Sequence, residues 1–424
     1  MNSVFCLQTF GCKSNQYESQ GIRENLLAAG YLETADPGGA NILVLNSCGV
    51  TGRAGASCRN AVRKATRANP GLRVVLTGCG VDLDEQWPDI PSGPPLCVPN
   101  AKKHALVSLL ARWLATDGGA ATPADDRFGL SISRFAGHTR AFLKIQDGCD
   151  NHCSYCAIPR ARGEPQSRPP SDVLEEAKRL AGNGHQEIVL TGINIGVYRH
   201  GNTGFADLVA ELAGTPGMVR LRLGSVEPPQ MDRRLAEVMA ADARICPHVH
   251  LPMQSGDDGV LSRMGRRYDA SAFLDKVRLL QGELRHPAVT TDVIVGFPGE
   301  DEKAFEASAE LCRRASFSRL HVFLFSPRPG TPAAAMKRST PEREIEKWKT
   351  GLIAVGRDLA REYAAKCVGL RERVIVEKGD DVSGGLSDRY VSTALDGDYS
   401  PGSVLEVDIF AADDAALRAR VIDR

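Results

Sequence analysis

Cys149, Cys153 and Cys156 fall in a CxxxCxxC spacing on one short loop, directly after the apolar run 141–146. Three thiols this close in sequence constrain the chain more than anything else in it, because they point at one centre that the surrounding fold must build. Soft thiolate ligands select zinc or iron–sulfur. Structural zinc takes four ligands, usually as two paired half-sites. No second pair lies nearby, so zinc here needs His152 as its fourth ligand. Three thiolates on a four-iron cubane instead leave one iron open to N and O atoms of a bound molecule. The spacing favours the cubane, with the zinc loop as its alternative.

A disulfide framework is the other common use for twelve cysteines. Met1 to Phe5 carry no basic region and no apolar signal core, and no apolar run reaches membrane-spanning length. The expectation is a cytoplasmic chain without membrane contact, whose thiols stay reduced. Lys plus Arg and Asp plus Glu number 52 each. Net charge therefore argues neither for nor against nucleic acid, and only local patches can.

At 424 residues the chain is too long for one compact domain. Residues 1–115 alternate short apolar runs (4–10, 41–46, 73–77) with helical spacing (15–30, 54–67), which predicts a doubly wound parallel sheet. Residues 116–137 are rich in Gly, Ala, Pro and Asp and read as a linker. Over 138–365 six strand signals, at 141–146, 187–191, 220–223, 248–253, 291–295 and 321–325, are separated by helical segments. They fit a partial (β/α)6 barrel. Residues 366–424 turn to β-branched residues with Gly, Asp and Ser turns, the pattern of a small β-barrel.

Three further cysteines share a position without sharing a motif. Cys12, Cys48 and Cys79 each follow the end of a predicted strand, at Phe10-Gly11-Cys12, Asn46-Ser47-Cys48 and Thr77-Gly78-Cys79. In open α/β sheets sites form at the carboxyl ends of the strands, so the three can converge on one point. Buried core cysteines are the alternative. Cys6, Cys58, Cys97, Cys246, Cys312 and Cys367 show no such pattern and read as packing or surface residues.

A CxxxCxxC loop opening a β/α barrel resembles the radical S-adenosylmethionine superfamily. Joined to the three N-terminal cysteines, it resembles the methylthiotransferase family in particular. The likeness runs through Thr9–Ser19, Asn46-Ser47-Cys48, Gln146–Gly163, Leu190–Gly196, Leu251–Gly256, Asp292–Glu300 and Ser326–Pro332. The last segment, 366–424, is similar to the TRAM domain, an RNA-binding barrel. Phe10-Gly11-Cys12-Lys13-Ser14-Asn15-Gln16-Tyr17 and Thr191-Gly192-Ile193-Asn194-Ile195-Gly196 look like the branch acting on N6-threonylcarbamoyladenosine at position 37 of tRNA. The branches acting on isopentenyladenosine and on a ribosomal protein differ at these phrases and are the alternatives.

The resemblance implies two 4Fe-4S clusters, one on Cys12, Cys48 and Cys79 and one on Cys149, Cys153 and Cys156. S-adenosylmethionine would chelate the open iron of the second. One electron would then release a 5′-deoxyadenosyl radical that takes the hydrogen from C2 of the adenine. The first cluster would carry the transferred sulfur, and a second S-adenosylmethionine the methyl group. The implied partners are tRNA and an electron donor such as a flavodoxin or ferredoxin, and a monomer is expected. Thr191, Gly192, Ser225, Glu227, Gln254, Gly296 and Glu300 lie at predicted strand ends and are candidates for cofactor contact, with turn and capping chemistry as the alternative. An iron–sulfur electron carrier would leave the central 220 or so residues without a purpose, and a zinc RNA-binding module would be colourless where an iron–sulfur protein purified without oxygen is brown.

RNA contact has two candidate surfaces. The C-terminal segment holds eight Lys/Arg and twelve Asp/Glu, a poor general phosphate binder, so contact there would rest on residues such as Arg371, Arg373 and Arg389. Residues 47–81 hold Arg53, Arg59, Arg63, Lys64, Arg67 and Arg73 and no acid. Arg59, Arg63 and Arg67 repeat every four residues, on one helix face. A solvated helix face is the alternative reading of that stripe.

Overall fold

A computed structural model describes residues 3–115, 123–378 and 384–422. The chain divides into two compact units, Met1–Ala136 with Gln146–Arg168 and Ser326–Ala334, and Gly137–Ile145 with Pro169–Phe325 and Ala335–Arg424.

The first unit is built on five parallel strands: β1 (Val4–Thr9), β2 (Leu32–Glu33), β3 (Ile42–Ser47), β4 (Arg73–Gly78) and β5 (Leu96–Val98), in the order β2-β1-β3-β4-β5. β3 is buried at every residue, as a central parallel strand covered on both faces must be. Its side chains alternate. Ile42 and Val44 pack with Ile22 and Leu26 of α1 (Lys13–Ala28) and with Leu106 and Leu110 of α4 (Leu106–Ala115). Leu43 and Leu45 pack with Cys58, Val62 and Ala65 of α2 (Gly52–Ala68). The doubly wound sheet read from the sequence is the one observed. α2 starts two residues before the predicted helix because Thr51 caps it, its hydroxyl accepting from Ala54 N–H at 3.1 Å. A one-turn helix, α3 (Cys79–Asp82), follows β4 directly.

The predicted linker needs correcting. Residues 116–122 of it lie outside the described residues. The remainder is not a spacer: Leu130, Ile132 and Phe135 are buried, and Tyr17 donates its hydroxyl to Leu130 O at 3.0 Å. Leu130 joins the core on the α1 side of the sheet, a tertiary role that local composition does not reveal.

In the second unit six parallel strands follow sequence order: Arg140–Lys144, Glu187–Thr191, Arg220–Arg222, His248–His250, Ala288–Val295 and Arg319–Leu324. The third and fourth are joined through the parallel bridges Leu221 to Ile245 and Ser225 to His250. Helices separate the strands, so this is the expected partial (β/α)6 barrel. The helix Glu342–Cys367 packs on the last strand, where a Cβ on Gly356 would stand 2.9 Å from Leu320 Cβ. The C-terminal closed barrel has the order Arg371–Glu377, Gly384–Ser387, Ser392–Leu395, Ala416–Val421, Val404–Asp413. Val374, Val376, Val407, Ile409 and Leu417 fill it, together with Tyr363 and Cys367 of the preceding helix.

Glu187 is fully buried between Arg220 and Arg222, with Arg222 Nε donating to it at 2.7 Å. The outer nitrogens of the same two arginines donate to Arg373 O at 2.8 Å and to Asp388 O at 2.9 Å. One buried carboxylate thus aims two cations that tie the small barrel to the strands. Burial alone would push the Glu187 carboxyl up, but Arg220, Arg222 and Arg140 outweigh it and hold it at about 2. A carboxyl held below its unfolded value near 4.5 contributes stability above that pH and loses it as pH falls toward 2. The full contribution is on the order of 3 kcal/mol. We expect the unfolding midpoint of the wild type to fall steeply between pH 4.5 and 2. Glu187→Gln should be less stable at pH 7 and lose most of that slope, as measured by denaturant unfolding across this range.

Candidate active site

The strand order of the first unit reverses direction between β1 and β3, and in such sheets the crevice outside the carboxyl ends at this switch point binds ligands. Cys12, Cys48 and Cys79 stand there, following β1, β3 and β4. They are brought together. A Cβ on Gly11 would lie 2.9 Å from Cys48 Sγ, and one on Gly49 would lie 3.2 Å from Cys79 Cβ. Gly78, with φ of 91°, has Ser47 O 2.3 Å from where a Cβ would be. Only glycine allows β3 and β4 to deliver their cysteines this close.

The second triad belongs to the same unit. Its loop is pinned behind Gly148, whose φ is 77° and whose Cβ would stand 2.1 Å from Glu164 O. Cys149 N–H donates to Gly163 O at 3.0 Å, and Cys156 N–H to Cys153 O at 3.0 Å. Gln146 braces the turn from below, donating to Asp147 O at 2.9 Å and Gly148 O at 2.7 Å. The helix α5 (Ile158–Arg162) follows at once.

Around both triads lies a buried polar network that sequence reasoning does not identify. Arg162 Nη1 donates to Glu18 Oε1 at 2.8 Å and Asp147 Oδ1 at 3.0 Å, and its Nη2 donates to Asn15 Oδ1 at 2.7 Å. Lys103 pairs with Glu18 and donates to Asn46 Oδ1 at 3.0 Å. Asn15 Nδ2 donates to Phe10 O and Ser47 O, joining the Cys12 and Cys48 loops. The one signal available in sequence is local: Asn15, Glu18 and Arg162 all lie inside stretches that carry the family likeness.

In the second unit the candidate cofactor residues lie at or just beyond the carboxyl ends of the barrel strands. Thr191 closes its strand, and Gly192 follows it. Ser225 bridges to His250. Gln254, with φ of 66°, exchanges backbone hydrogen bonds with Asp292 and Ile294 at 2.8 and 2.9 Å. Gly296 has φ of 78° and donates its N–H to Glu300. Burial pushes the Glu300 carboxyl up to about 7, against hydrogen bonds from the Gly296 and Phe297 amides. Glu300 therefore holds its own turn, and Glu227 is engaged by Arg266.

A compact cluster on these strands also escapes sequence reasoning. Among the described residues, one group of three or more His, Cys, Asp or Glu has all its ligand atoms within 4.8 Å of one another: His250, Asp292 and His321. Asp292 meets His250 Nε2 and His321 Nδ1 at 3.2 Å each. Because Leu320 faces the outer helix, the next residue, His321, and its cross-strand partner Asp292 face the opposite, concave side. Burial would raise the Asp292 carboxyl, but the two imidazoles outweigh it and hold it well below the usual range.

The basic stripe is altered by what it touches. Arg63, Lys64 and Arg67 are exposed along α2. Arg59, expected to lack an acidic partner, pairs with Glu85 at 3.2 Å; the acid comes from beyond β4, outside residues 47–81. Arg59 and Arg63 line an open groove of about 600 Å³ with Trp87, Arg328 and Ala157, the residue after Cys156. In the small barrel Arg389 is buried against Glu372, His286 O and Arg285 O. Arg373 is held by Asp388 at 3.0 Å and Val219 O at 3.1 Å. Both are engaged, so of the three barrel arginines named from the sequence only Arg371, paired with Asp408 at 3.4 Å, is exposed.

Residues 143–312 match the radical SAM superfamily, and residues 4–88 match the uncharacterized protein family UPF0004. Threonylcarbamoyladenosine tRNA methylthiotransferase MtaB of Thermotoga maritima is 34% identical over 88% of this chain and 86% of its own length. The chain belongs to the radical S-adenosylmethionine methylthiotransferase family. The tRNA-2-methylthio-N(6)-dimethylallyladenosine synthase of Frankia casuarinae is also 34% identical, over 92% of this chain and 74% of its own. Among solved structures, the radical S-adenosylmethionine methyltransferase TsrM of Kitasatospora setae superposes with a TM-score of 0.58 at 16% identity, covering 78% of this chain and 75% of that one. That likeness shows the shared fold.

A radical S-adenosylmethionine enzyme implies a 4Fe-4S cluster and the nucleoside cofactor, and the methylthiotransferase's own residues fit them. A mononuclear zinc centre, with Zn–S near 2.3 Å, would draw its ligand atoms within a few ångströms of one another. Neither cysteine triad is gathered so tightly among the described residues, and His152 is exposed. The sulfurs also meet N–H donors suited to thiolates. Arg162 Nε lies 3.4 Å from Cys79 Sγ and Asn151 N lies 3.4 Å from Cys149 Sγ. Burial pushes the Cys48 thiol up to about 12, so a bound cation must displace its proton, and loading should release protons.

The Gly148 turn gives a direct test of the loop. Gly148→Ala adds a Cβ at 2.1 Å from a backbone oxygen in a left-handed conformation, a strain of about 1–3 kcal/mol. In a background with Cys12, Cys48 and Cys79 changed to Ala, it should lower bound iron at the remaining triad several-fold, as measured by iron analysis after anaerobic reconstitution.

Proposed function

We propose that this chain methylthiolates C2 of N6-threonylcarbamoyladenosine at position 37 of tRNA. The reading is carried by the likeness to threonylcarbamoyladenosine tRNA methylthiotransferases along 88% of the chain. The two cysteine triads within one compact unit add chemical sense to it. Cys149, Cys153 and Cys156 would hold the cluster that leaves one iron open, and Cys12, Cys48 and Cys79 a second. When bound, these groups supply homolytic removal of an unactivated aromatic hydrogen and the sulfur that replaces it. No side-chain acid or base could take that hydrogen at neutral pH.

The protein's part is holding and orienting. Thr191, Gly192, Ser225, Gln254 and Gly296 would seat S-adenosylmethionine at the carboxyl ends of the barrel strands. Glu227, fixed by Arg266, would orient a neighbouring polar group. An external electron donor of the flavodoxin or ferredoxin kind, a cytoplasmic location and a monomeric state complete the reading. The test is mass spectrometry of tRNA nucleosides from cells with and without this gene. Loss of the 2-methylthio form of threonylcarbamoyladenosine is expected. Loss of the isopentenyl form instead would assign the chain to the other tRNA branch.

The tRNA would contact the exposed face of α2. Arg63, Lys64 and Arg67 are exposed there, and the adjoining groove adds Trp87 for stacking an unpaired base. Removing one cation that neutralises a phosphate lowers the slope of log affinity against log salt by roughly 0.7 to 0.9. Changing Arg63, Lys64 and Arg67 together to Gln should lower it by about two. The same change at Arg371, Arg418 and Arg420 of the acidic barrel should lower it less. The reverse ranking, in tRNA binding measured at several salt concentrations, would place the RNA anchor on the barrel.

A further inference from the structure

Arg162 is fully buried, and all five of its N–H donors are spoken for. Nη1 serves Glu18 Oε1 at 2.8 Å and Asp147 at 3.0 Å. Nη2 serves Asn15 Oδ1 at 2.7 Å and Glu18 Oε2 at 3.1 Å. The fifth donor, Nε, is aimed at Cys79 Sγ at 3.4 Å. A guanidinium is planar and rigid, so the four outer bonds fix the direction of the fifth. Its partners come from both halves of the site: Asn15 and Glu18 stand on α1 behind Cys12, and Asp147 precedes the Cys149 loop. Asn100 Nδ2 approaches the same sulfur at 3.9 Å. Arg162 and Lys103 face Glu18 and Asp147, and the Asp82 carboxylate adjoins them, accepting from Asn100 Nδ2 at 2.8 Å.

We propose that Arg162 is a positioning residue for the N-terminal cluster: its Nε–H contact to Cys79 raises that cluster's reduction potential, and its carboxylate pairs hold the loop of the second triad against the sheet end. The proposal rests on reading Cys12, Cys48 and Cys79 as cluster ligands. A hydrogen bond to a ligating sulfur draws charge off the cluster and favours the reduced form, and a fixed positive charge acts in the same direction.

The test uses the full chain carrying Cys149→Ala, Cys153→Ala and Cys156→Ala, reconstituted without oxygen, so that any cluster signal belongs to the N-terminal triad. About four irons are expected. Arg162→Lys keeps the charge and lacks the directed Nε donor. It should retain iron and shift the midpoint, read by redox titration with electron paramagnetic resonance, to more negative values by about tenfold in the reduced-to-oxidised ratio, or about 59 mV for one electron. Glu18→Gln leaves the Arg162 charge less compensated and should shift the midpoint the opposite way. A mere loosening of the fold would move both variants alike. Iron retained with an unchanged midpoint in Arg162→Lys, or equal-signed shifts in both, overturns the proposal. If Arg162→Lys cannot hold iron, an unchanged or more negative midpoint in Glu18→Gln overturns it. A background that binds no iron at all removes the N-terminal cluster itself, and the proposal with it.

Discussion

The site depends on four charges placed where water cannot reach them. Arg162, Lys103, Glu18 and Asp147 are all buried at the carboxyl end of the N-terminal sheet. Taking ions out of water costs several kcal/mol each, and their attraction offsets this only when geometry is good and every remaining donor is satisfied. Here Arg162 satisfies all five donors, and Glu18 serves both cations. Apolar residues of the same volume could fill the space as stably. What they could not do is fix direction, and four loops carrying cysteines must each be aimed. The network acts as a jig. Glu18 comes from the helix after Cys12, Asn46 from the strand before Cys48, Lys103 from beyond β5, and Arg162 from the helix after Cys156.

The same logic recurs in the second unit. Glu187 aims Arg220 and Arg222, which in turn hold the small barrel by its backbone carbonyls. In both units a buried carboxylate orients arginines, and the arginines reach across elements. Hydrophobic packing builds each layer but is non-directional. The charged pairs set how loops and layers meet.

Much of this fold is legible in the sequence because its signals are local. The buried strands at 42–47 and 73–78 are continuous apolar runs, and the CxxxCxxC loop is a contiguous motif. The convergence of Cys12, Cys48 and Cys79 is legible one step further on, since strand ends in a parallel sheet share an edge. The ion network is not. Glu18 and Lys103 look like ordinary helix-surface residues, and their burial follows only from the packing of elements 85 residues apart. His250, Asp292 and His321 sit on three strands with no common spacing, and only the register of Asp292 against His321 unites two of them. Arg373 and Arg389 read as a cationic surface because sequence shows a charge but not its partners, and Arg59 misleads in the same way through Glu85.

That last contrast bears on how a neutral chain can bind a polyanion. The charges of this protein are not averaged over its surface. Acids neutralise the arginines that hold the structure together: Glu187 for Arg220 and Arg222, Glu372 for Arg389, Asp388 for Arg373. Among the described residues, Arg63, Lys64 and Arg67 on the outer face of α2 make no ion pair, unlike Arg59, and Arg63 donates to Asn60 Oδ1 at 3.0 Å. A phosphate arriving there displaces counterions rather than a built ion pair, which is the less costly exchange.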